Sequence, residues 1–252
     1  MINLKLFDDV DAIASYTYEL LTAAGMGAGN PAAALSFGST YNAVFSRWAK
    51  LHAEAGTRTP QLPALFPADE RLVDISHDGS NWGTARKLFI DECGNSADRE
   101  HWASDAAAYN RMLQEHFSEQ TAGKNDETPQ LPVFDLIFLG MGPDGHTASL
   151  FPGSCPQPHD IEWNSTVLET TAPFNPPNRL TLGPEVIASA GKLVMTVTGA
   201  GKAGIFRRLL DELNGKPGAE LLPPARIILR RSELELKTEI ICDKDAASEM
   251  EI

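Results

Sequence analysis

The chain has 252 residues, 42% of them hydrophobic, and carries 21 Lys and Arg against 34 Asp and Glu for a formal charge of −13. That apolar share is enough for a full core and excludes a disordered chain, and the negative balance excludes a general polyanion binder, because nucleic-acid affinity comes mostly from neutralised phosphates. No apolar run approaches the roughly 18 residues of a membrane span; the best candidate is 136–142. Residues 9–24 place Val10, Ile13, Ala14, Thr17, Leu20, Leu21 and Ala24 on one helical face, with Asp8 as the expected N-cap and Gly25 as the stop. A buried strand is predicted over 32–37. A helix follows through Tyr41, Val44, Phe45, Trp48 and Leu51, ended by Gly56, and 63–66 is a brief strand. Helical spacing recurs over 82–91 and 100–117, the latter through Trp102, Ala106, Tyr109, Leu113 and Phe117.

Residues 133–139 read as the central strand, 166–170 and 193–198 as further strands, 200–213 as a helix and 236–242 as the last strand. The stretches 118–131 and 214–224 are linker-like, but neither divides two core-sized halves. This alternation predicts an α/β fold: a single domain over 1–252 with a mostly parallel sheet and helices on both faces. Ligands of such sheets bind outside the carboxyl ends of the strands, where the glycine-rich turns fall.

Asp8, Asp9 and Asp11 stand where a signal peptide would be apolar, so the chain is read as cytoplasmic, with neither membrane nor nucleic acid as a partner. Cys93, Cys155 and Cys242 are far apart and the six histidines never fall into a ligand spacing, so no disulfide framework and no metal are expected.

The pattern G-x-G-x-x-G occurs at Gly140, Gly142, Gly145 and again at Gly199, Gly201, Gly204, each after a predicted strand and each able to open a helix. Asp144 inside the first copy argues against a dinucleotide. A carboxylate about 4 Å from a pyrophosphate costs on the order of 4 kcal/mol at an effective dielectric of 20, against roughly 0.3–1 kcal/mol returned by a helix terminus. Lys202 inside the second copy suits a terminal phosphate better than a shielded diphosphate.

Three turns are expected to share a crevice. Gly38-Ser39-Thr40 offers backbone N–H groups and hydroxyls to a phosphate, although Ser39 or Thr40 as an ordinary N-cap explains the same residues. In Asp69-Glu70-Arg71, Arg71 offers a planar fork that Asp69 or Glu70 would orient; a solvated salt-bridge cluster is the plainer account. In the turn Gly140 to Thr147, His146 can exchange a proton near neutrality and Asp144 can orient it, while a tight turn with His146 capping a helix fits equally well. Arg71, Arg179 and Lys202 are the cations expected to meet in one cleft, which a chain this acidic needs if it binds a small anion.

The run from Phe134 to Gly153, FDLIFLGMGPDGHTASLFPG, resembles the signature of the 6-phosphogluconolactonase family. Agreement continues in order through Gly38-Ser39-Thr40, Asp69-Glu70-Arg71, Ser80-Asn81, the Pro177-to-Leu182 stretch, and Thr198-Gly199 with Lys202, over roughly 36–229. The resemblance departs at Phe37, where the family has glycine, and at Tyr41, where it has proline.

This resemblance implies a fold like glucosamine-6-phosphate isomerase and hydrolysis of 6-phosphogluconolactone in the oxidative pentose phosphate pathway, with no metal and no organic cofactor. It implies His146 as general base and Asp144 as the residue holding the site's geometry. Arg71, Arg179 and Lys202, with Ser39, Thr40 and Gly145, would bind the substrate and its phosphate. The expected partner is the phosphosugar lactone alone, acting on a monomer with no obligatory protein partner. No G-x-S-x-G elbow is present, which disfavours an acyl-enzyme route. The alternatives are an isomerase/deaminase acting on glucosamine 6-phosphate, which needs a carboxylate beside C2, and a non-catalytic sugar-phosphate sensor.

Overall fold

Apolar runs and amphipathic helices resolve into two sheets in a computed structural model describing residues 1–56, 61–93, 102, 104–118, 131–216, 218 and 220–250. The larger sheet is parallel throughout, in the order β1-β9-β8-β5-β2-β3. Its strands are β1 (Ile2–Phe7), β2 (Ala32–Leu35), β3 (Ala64–Pro67), β5 (Leu136–Gly140), β8 (Lys192–Val197) and β9 (Thr238–Asp243). The smaller sheet is antiparallel, in the order β4-β7-β6, from β4 (Asp69–Arg71), β6 (Val167–Thr171) and β7 (Asn178–Leu182).

Both faces of the large sheet are buried, so its strands carry continuous apolar runs instead of alternating ones. Ala33, Leu35, Leu136 and Phe138 face one core with Phe45, Trp48 and Phe89. Ala32, Ala34, Ile137 and Leu139 face the other, which also takes Leu180, Leu182 and Val167 from the small sheet. Helices α1 (Val10–Gly25) and α2 (Ser39–Ala55) cover the first face, locked by Trp48 Nε1–H donating to the Ala14 carbonyl at 3.0 Å. On the second face lie α4 (Ala106–His116), α5 (Pro184–Ser189), α6 (Ala203–Leu213) and α7 (Pro223–Glu233). A short α3 (Asn81–Ala85) lies between α2 and α4 in the chain. The chain leaves β2 toward β3 on one side, and the path through β5, β8 and β9 runs to the other. That reversal opens a crevice at the carboxyl ends of β2 and β5.

Several predicted elements shift. Asp9, not Asp8, caps α1, accepting from Ala12 N–H at 2.9 Å, and Gly25 is the last helical residue because a Cβ there would lie 2.0 Å from the Gln61 carbonyl. The 82–91 helix is α3 followed by a π-helical turn over Arg86–Ile90. The helix expected over 100–117 begins at Ala106, capped by Asp105; residues 100, 101 and 103 lie outside the described set, as do 119–130 of the expected linker. The first glycine copy opens no helix: Thr147 pairs with Leu150 in an isolated bridge. The last strand lies inside the sheet, between β1 and β8.

Candidate active site

The small sheet is attached to the large one at Ala68, whose N–H donates to the Leu35 carbonyl while its carbonyl accepts from Leu182 N–H. This junction turns β4 and β7 across the carboxyl ends of β2 and β5. A cavity of about 210 Å³ results, and Ser39, Thr40, Asp69, Arg71, His146, Arg179 and Lys202 all line it.

The histidine turn is built from β5 outward. Gly142 N–H donates to the His146 carbonyl, Gly145 N–H to the Gly142 carbonyl, and Thr147 Oγ1 to the Gly140 carbonyl. A side chain at position 142 would displace the imidazole, because a Cβ would lie 2.2 Å from His146 Cε1 and 2.3 Å from Nδ1: the ring lies over bare backbone. His146 Nδ1 is 2.5 Å from Asp144 Oδ1. A carboxylate only accepts, so Nδ1 carries a proton, and in the neutral tautomer with that proton Nε2 keeps its lone pair. The ring packs against Phe151 and Phe174, at centroid distances of 5.0 and 5.8 Å. Ala148 beside it holds a left-handed backbone at φ 48, a strained conformation of the kind that gathers at functional sites.

The cations come from three elements. Arg71 and Arg179 are direct cross-strand partners in β4 and β7. Like charges so placed repel. Arg71 is held by donating from Nη1 to the Gly79 carbonyl at 2.8 Å; neither Asp69 nor Glu70 orients its guanidinium. Glu70 instead accepts from the backbone N–H groups of Arg71, Asn81 and Trp82, fixing β4 to the start of α3. Arg179 is only 2% exposed, and among the described residues its Nε and Nη2 have no hydrogen-bond partner. Burial, and then Arg71 beside it, pull its pKa below the ordinary value, against Asp69 and Glu70. Lys202 follows β8 and donates to Thr40 Oγ1 at 3.2 Å; burial pulls its ammonium below its ordinary value, with Asp243 opposing. Both shifts have the same first cause, burial, which disfavours the charged form of each side chain.

At the first turn neither hydroxyl caps α2. Gly38 is the capping residue, no side chain caps the helix, and Gly38, Ser39 and Thr40 at its start line the cavity. Thr40 Oγ1 is bound to Thr198 Oγ1 at 2.7 Å, tying α2 to the end of β8. The two departures from the family pattern are absorbed by packing. The Phe37 ring makes edge contacts with Phe45 and Trp82, and Tyr41 is buried with its hydroxyl on Thr196.

Gly145 is placed differently from the sequence expectation. It does not line the cavity: its N–H is spent within the turn, its φ is +88, and a Cβ would lie 2.6 Å from Leu222 Cδ2. Its part is to let the turn pack on α7. Asp144 also stands outside the lining and reaches the cavity through His146.

Asp69, expected only to orient Arg71, and further residues given no role from the sequence complete the site. Asp69 is the one acid among the lining residues; it accepts from Ser149 Oγ–H at 2.7 Å, and burial pushes its carboxyl above its ordinary value despite Ser149, Arg71, His146 and Arg179. Asn81, Ser149, Phe151 and Phe174 also line the wall. Ser149 and Phe151 stand in the 134–153 signature; Phe174, an aromatic in a Pro-rich loop, gave no periodic signal.

The model of the family described as glucosamine-6-phosphate isomerases/6-phosphogluconolactonase matches residues 8–237. A Schizosaccharomyces pombe protein named probable 6-phosphogluconolactonase is 31% identical over 204 residues, covering 74% of this chain and 72% of that one. The 6-phosphogluconolactonase of Rattus norvegicus is 36% identical over 179 residues, 66% of this chain and 65% of its own. Among solved structures, the devB protein superposes over 100% of both chains with a TM-score of 0.77 at 29% identity.

Proposed function

This chain belongs to the glucosamine-6-phosphate isomerase/6-phosphogluconolactonase family, and from that premise we propose that it hydrolyses 6-phospho-D-glucono-1,5-lactone to 6-phosphogluconate in the oxidative pentose phosphate pathway. One observation carries the reading: a buried guanidinium whose Nε and Nη2 are unbonded among the described residues lines the same cavity as an Asp144-paired imidazole. A buried donor left unmade costs roughly 1–3 kcal/mol, more when charged, and a phosphate oxygen pair removes that cost with charge-assisted bonds.

His146 Nε2 takes a proton from water as the water oxygen bonds to the lactone carbonyl carbon. The imidazolium then returns the proton to the ring oxygen as the carbon–oxygen bond breaks, and the product acid ionises. Asp144 holds the ring and offsets its charge while protonated. Arg71, Arg179, Lys202 and the Ser39 and Thr40 N–H groups hold the phosphate, supplying positioning remote from the reacting carbon. The shared core of the two sheets supports one catalytic domain over 1–252. Among the described residues no helix is long and apolar enough to cross a membrane; that the enzyme is a cytoplasmic monomer is part of the proposal.

A pH-stat assay with freshly generated 6-phosphogluconolactone beside unphosphorylated gluconolactone tests the reaction and the anion requirement together. Rapid acid release that depends on the phosphate is expected; no acceleration over the blank refutes the reading. Asp69 places one carboxylate in the cavity, the group a deaminase needs beside C2. Ammonia release from glucosamine 6-phosphate at a rate rivalling lactone hydrolysis therefore transfers the chain to the isomerase branch, and tight ligand binding without turnover makes it a sensor.

A further inference from the structure

Phe174 lies in the loop between β6 and β7 with 45% of its surface exposed. Its ring nevertheless meets three parts of the cavity: the His146 imidazole at 5.8 Å, Phe151 edge-on at 5.7 Å, and the Arg179 guanidinium carbon at 5.4 Å. The last contact matters most. A guanidinium aimed by a carboxylate spends on that carboxylate the donors its ligand needs, and has its charge neutralised as well. An aromatic face attracts the cation through its quadrupole and leaves the in-plane N–H groups available. Arg179 fits the second arrangement, with Nε and Nη2 unbonded among the described residues and a ring against its guanidinium. A large aromatic standing half in solvent at a cavity mouth is unfavourable in proportion to its exposed apolar area, and a ligand seated below it reduces that exposure.

We propose that Phe174 is the positioning residue that aims the Arg179 guanidinium at the substrate phosphate, and thereby sets the preference for phosphorylated over unphosphorylated lactones. The proposal rests on the reading of this cavity as a phospholactone site. It assigns Phe174 no contact with the reacting carbon and no share in proton transfer. Its effect falls on KM, with kcat spared.

The test compares Phe174→Leu, which keeps apolar bulk and loses the π face, with Phe174→Tyr and Phe174→Trp, which keep the face. Because the side chain is half exposed, all three are expected to fold, and a thermal melt checks this. Each variant is assayed for kcat and KM on 6-phosphogluconolactone and on gluconolactone, and for inhibition by inorganic phosphate. In Phe174→Leu, KM for the phosphorylated lactone and the phosphate inhibition constant are expected to rise about 2- to 30-fold, the span of a cation–π contact, with kcat within about twofold of the parent. Hydrolysis of gluconolactone stays unchanged, and Tyr and Trp restore the parental values. Three results overturn the proposal: a Leu variant indistinguishable from the parent, a Tyr variant as impaired as Leu, or an equal fall in kcat on both substrates, which would assign the ring to His146. A parent enzyme that hydrolyses both lactones equally well overturns the phosphate reading itself, and this proposal with it.

Discussion

In the large parallel sheet the site is made of turns. Gly38 opens α2, the Gly140-to-His146 loop follows β5, and Lys202 follows β8, so each group is placed by backbone geometry a few residues from a strand end. In the small antiparallel sheet the site is made of side chains standing on the strands themselves, Asp69 and Arg71 on β4 and Arg179 on β7, placed by cross-strand register. The two regions are joined at Ala68, through a shared apolar core and across the cavity wall. Proton transfer lives on the first, and the two arginines of the proposed anion grip stand on the second, with Lys202 and the first turn of α2 completing it from the first. A lesion in one should therefore leave the work of the other standing, and the variants below are chosen to break that separation.

The largest effect is expected from His146→Ala. Loss of a general base lowers kcat by about 10²–10⁴, while binding of 6-phosphogluconate, held by the two arginines, Lys202 and the first turn of α2, persists. Parental turnover in this variant removes the base from the β5 turn. Gly142→Ala sharpens the same point without touching a titratable group. Its Cβ falls 2.2 Å from His146 Cε1, so the ring must move. Displacement of a reacting group by about 1 Å can cost on the order of 10²-fold in kcat. KM should hold, because Arg179 is positioned from the other sheet, and a raised KM with intact kcat would show that the regions are not separable.

This division also explains what could be read from the residues alone. Strands buried on both faces announce themselves as unbroken apolar runs, so β2, β3, β5 and β8 and the turns beyond them were legible, and His146 and Lys202 with them. Of the small sheet only β6 was legible, as the strand expected over 166–170. Asn178–Leu182 has the composition of a polar loop, and Asp69-Glu70-Arg71 that of a surface salt-bridge cluster, until Ala68 turns both into the cavity. Arg71 and Arg179 were recognisable as cations, but their register as direct partners, and the burial of Arg179, depend on pairing across more than a hundred residues. Two misses were avoidable. Ile2, Leu4 and Leu6 alternate as an edge strand does, and Pro223-Pro224 reads as a helix start as readily as a linker end. Gly145 was misplaced because the spacing shows a glycine without showing what it faces, here Leu222.

Arg179→Met probes the second region. It keeps the apolar stem and deletes the fork. Hydrogen bonds to charged groups contribute about 1.5–3 kcal/mol, which becomes roughly a 10- to 150-fold rise in KM for the phosphorylated lactone, with gluconolactone hydrolysis untouched. The ligand-free protein should melt no lower than the parent, since a buried charge whose Nε and Nη2 are unbonded among the described residues has been replaced by packing. A lower melting temperature would mean that Arg179 holds β7 in place and that anion binding is secondary.

The smallest effect is expected from Asp69→Asn, and it lies in a slope. Burial raises the Asp69 carboxyl above its ordinary value, so the folded state keeps its proton to higher pH than the unfolded state does. Between those two values the native form binds more protons, and stability falls as pH rises through the window. Asparagine can still accept from Ser149 but does not titrate. The stability difference between variant and parent should therefore grow in the variant's favour from acid toward the raised value, and then level off. Any pH-independent loss, such as weaker attraction to Arg71 and Arg179, displaces this curve without changing its slope. Denaturant midpoints taken across that range give the slope directly. A flat difference means that Asp69 is ionised in the fold as easily as in water, and that the two arginines are already neutralised before substrate arrives. A rising one means that the small sheet carries a carboxyl at a cost to stability, which is the arrangement expected where a site is kept ready for its ligand.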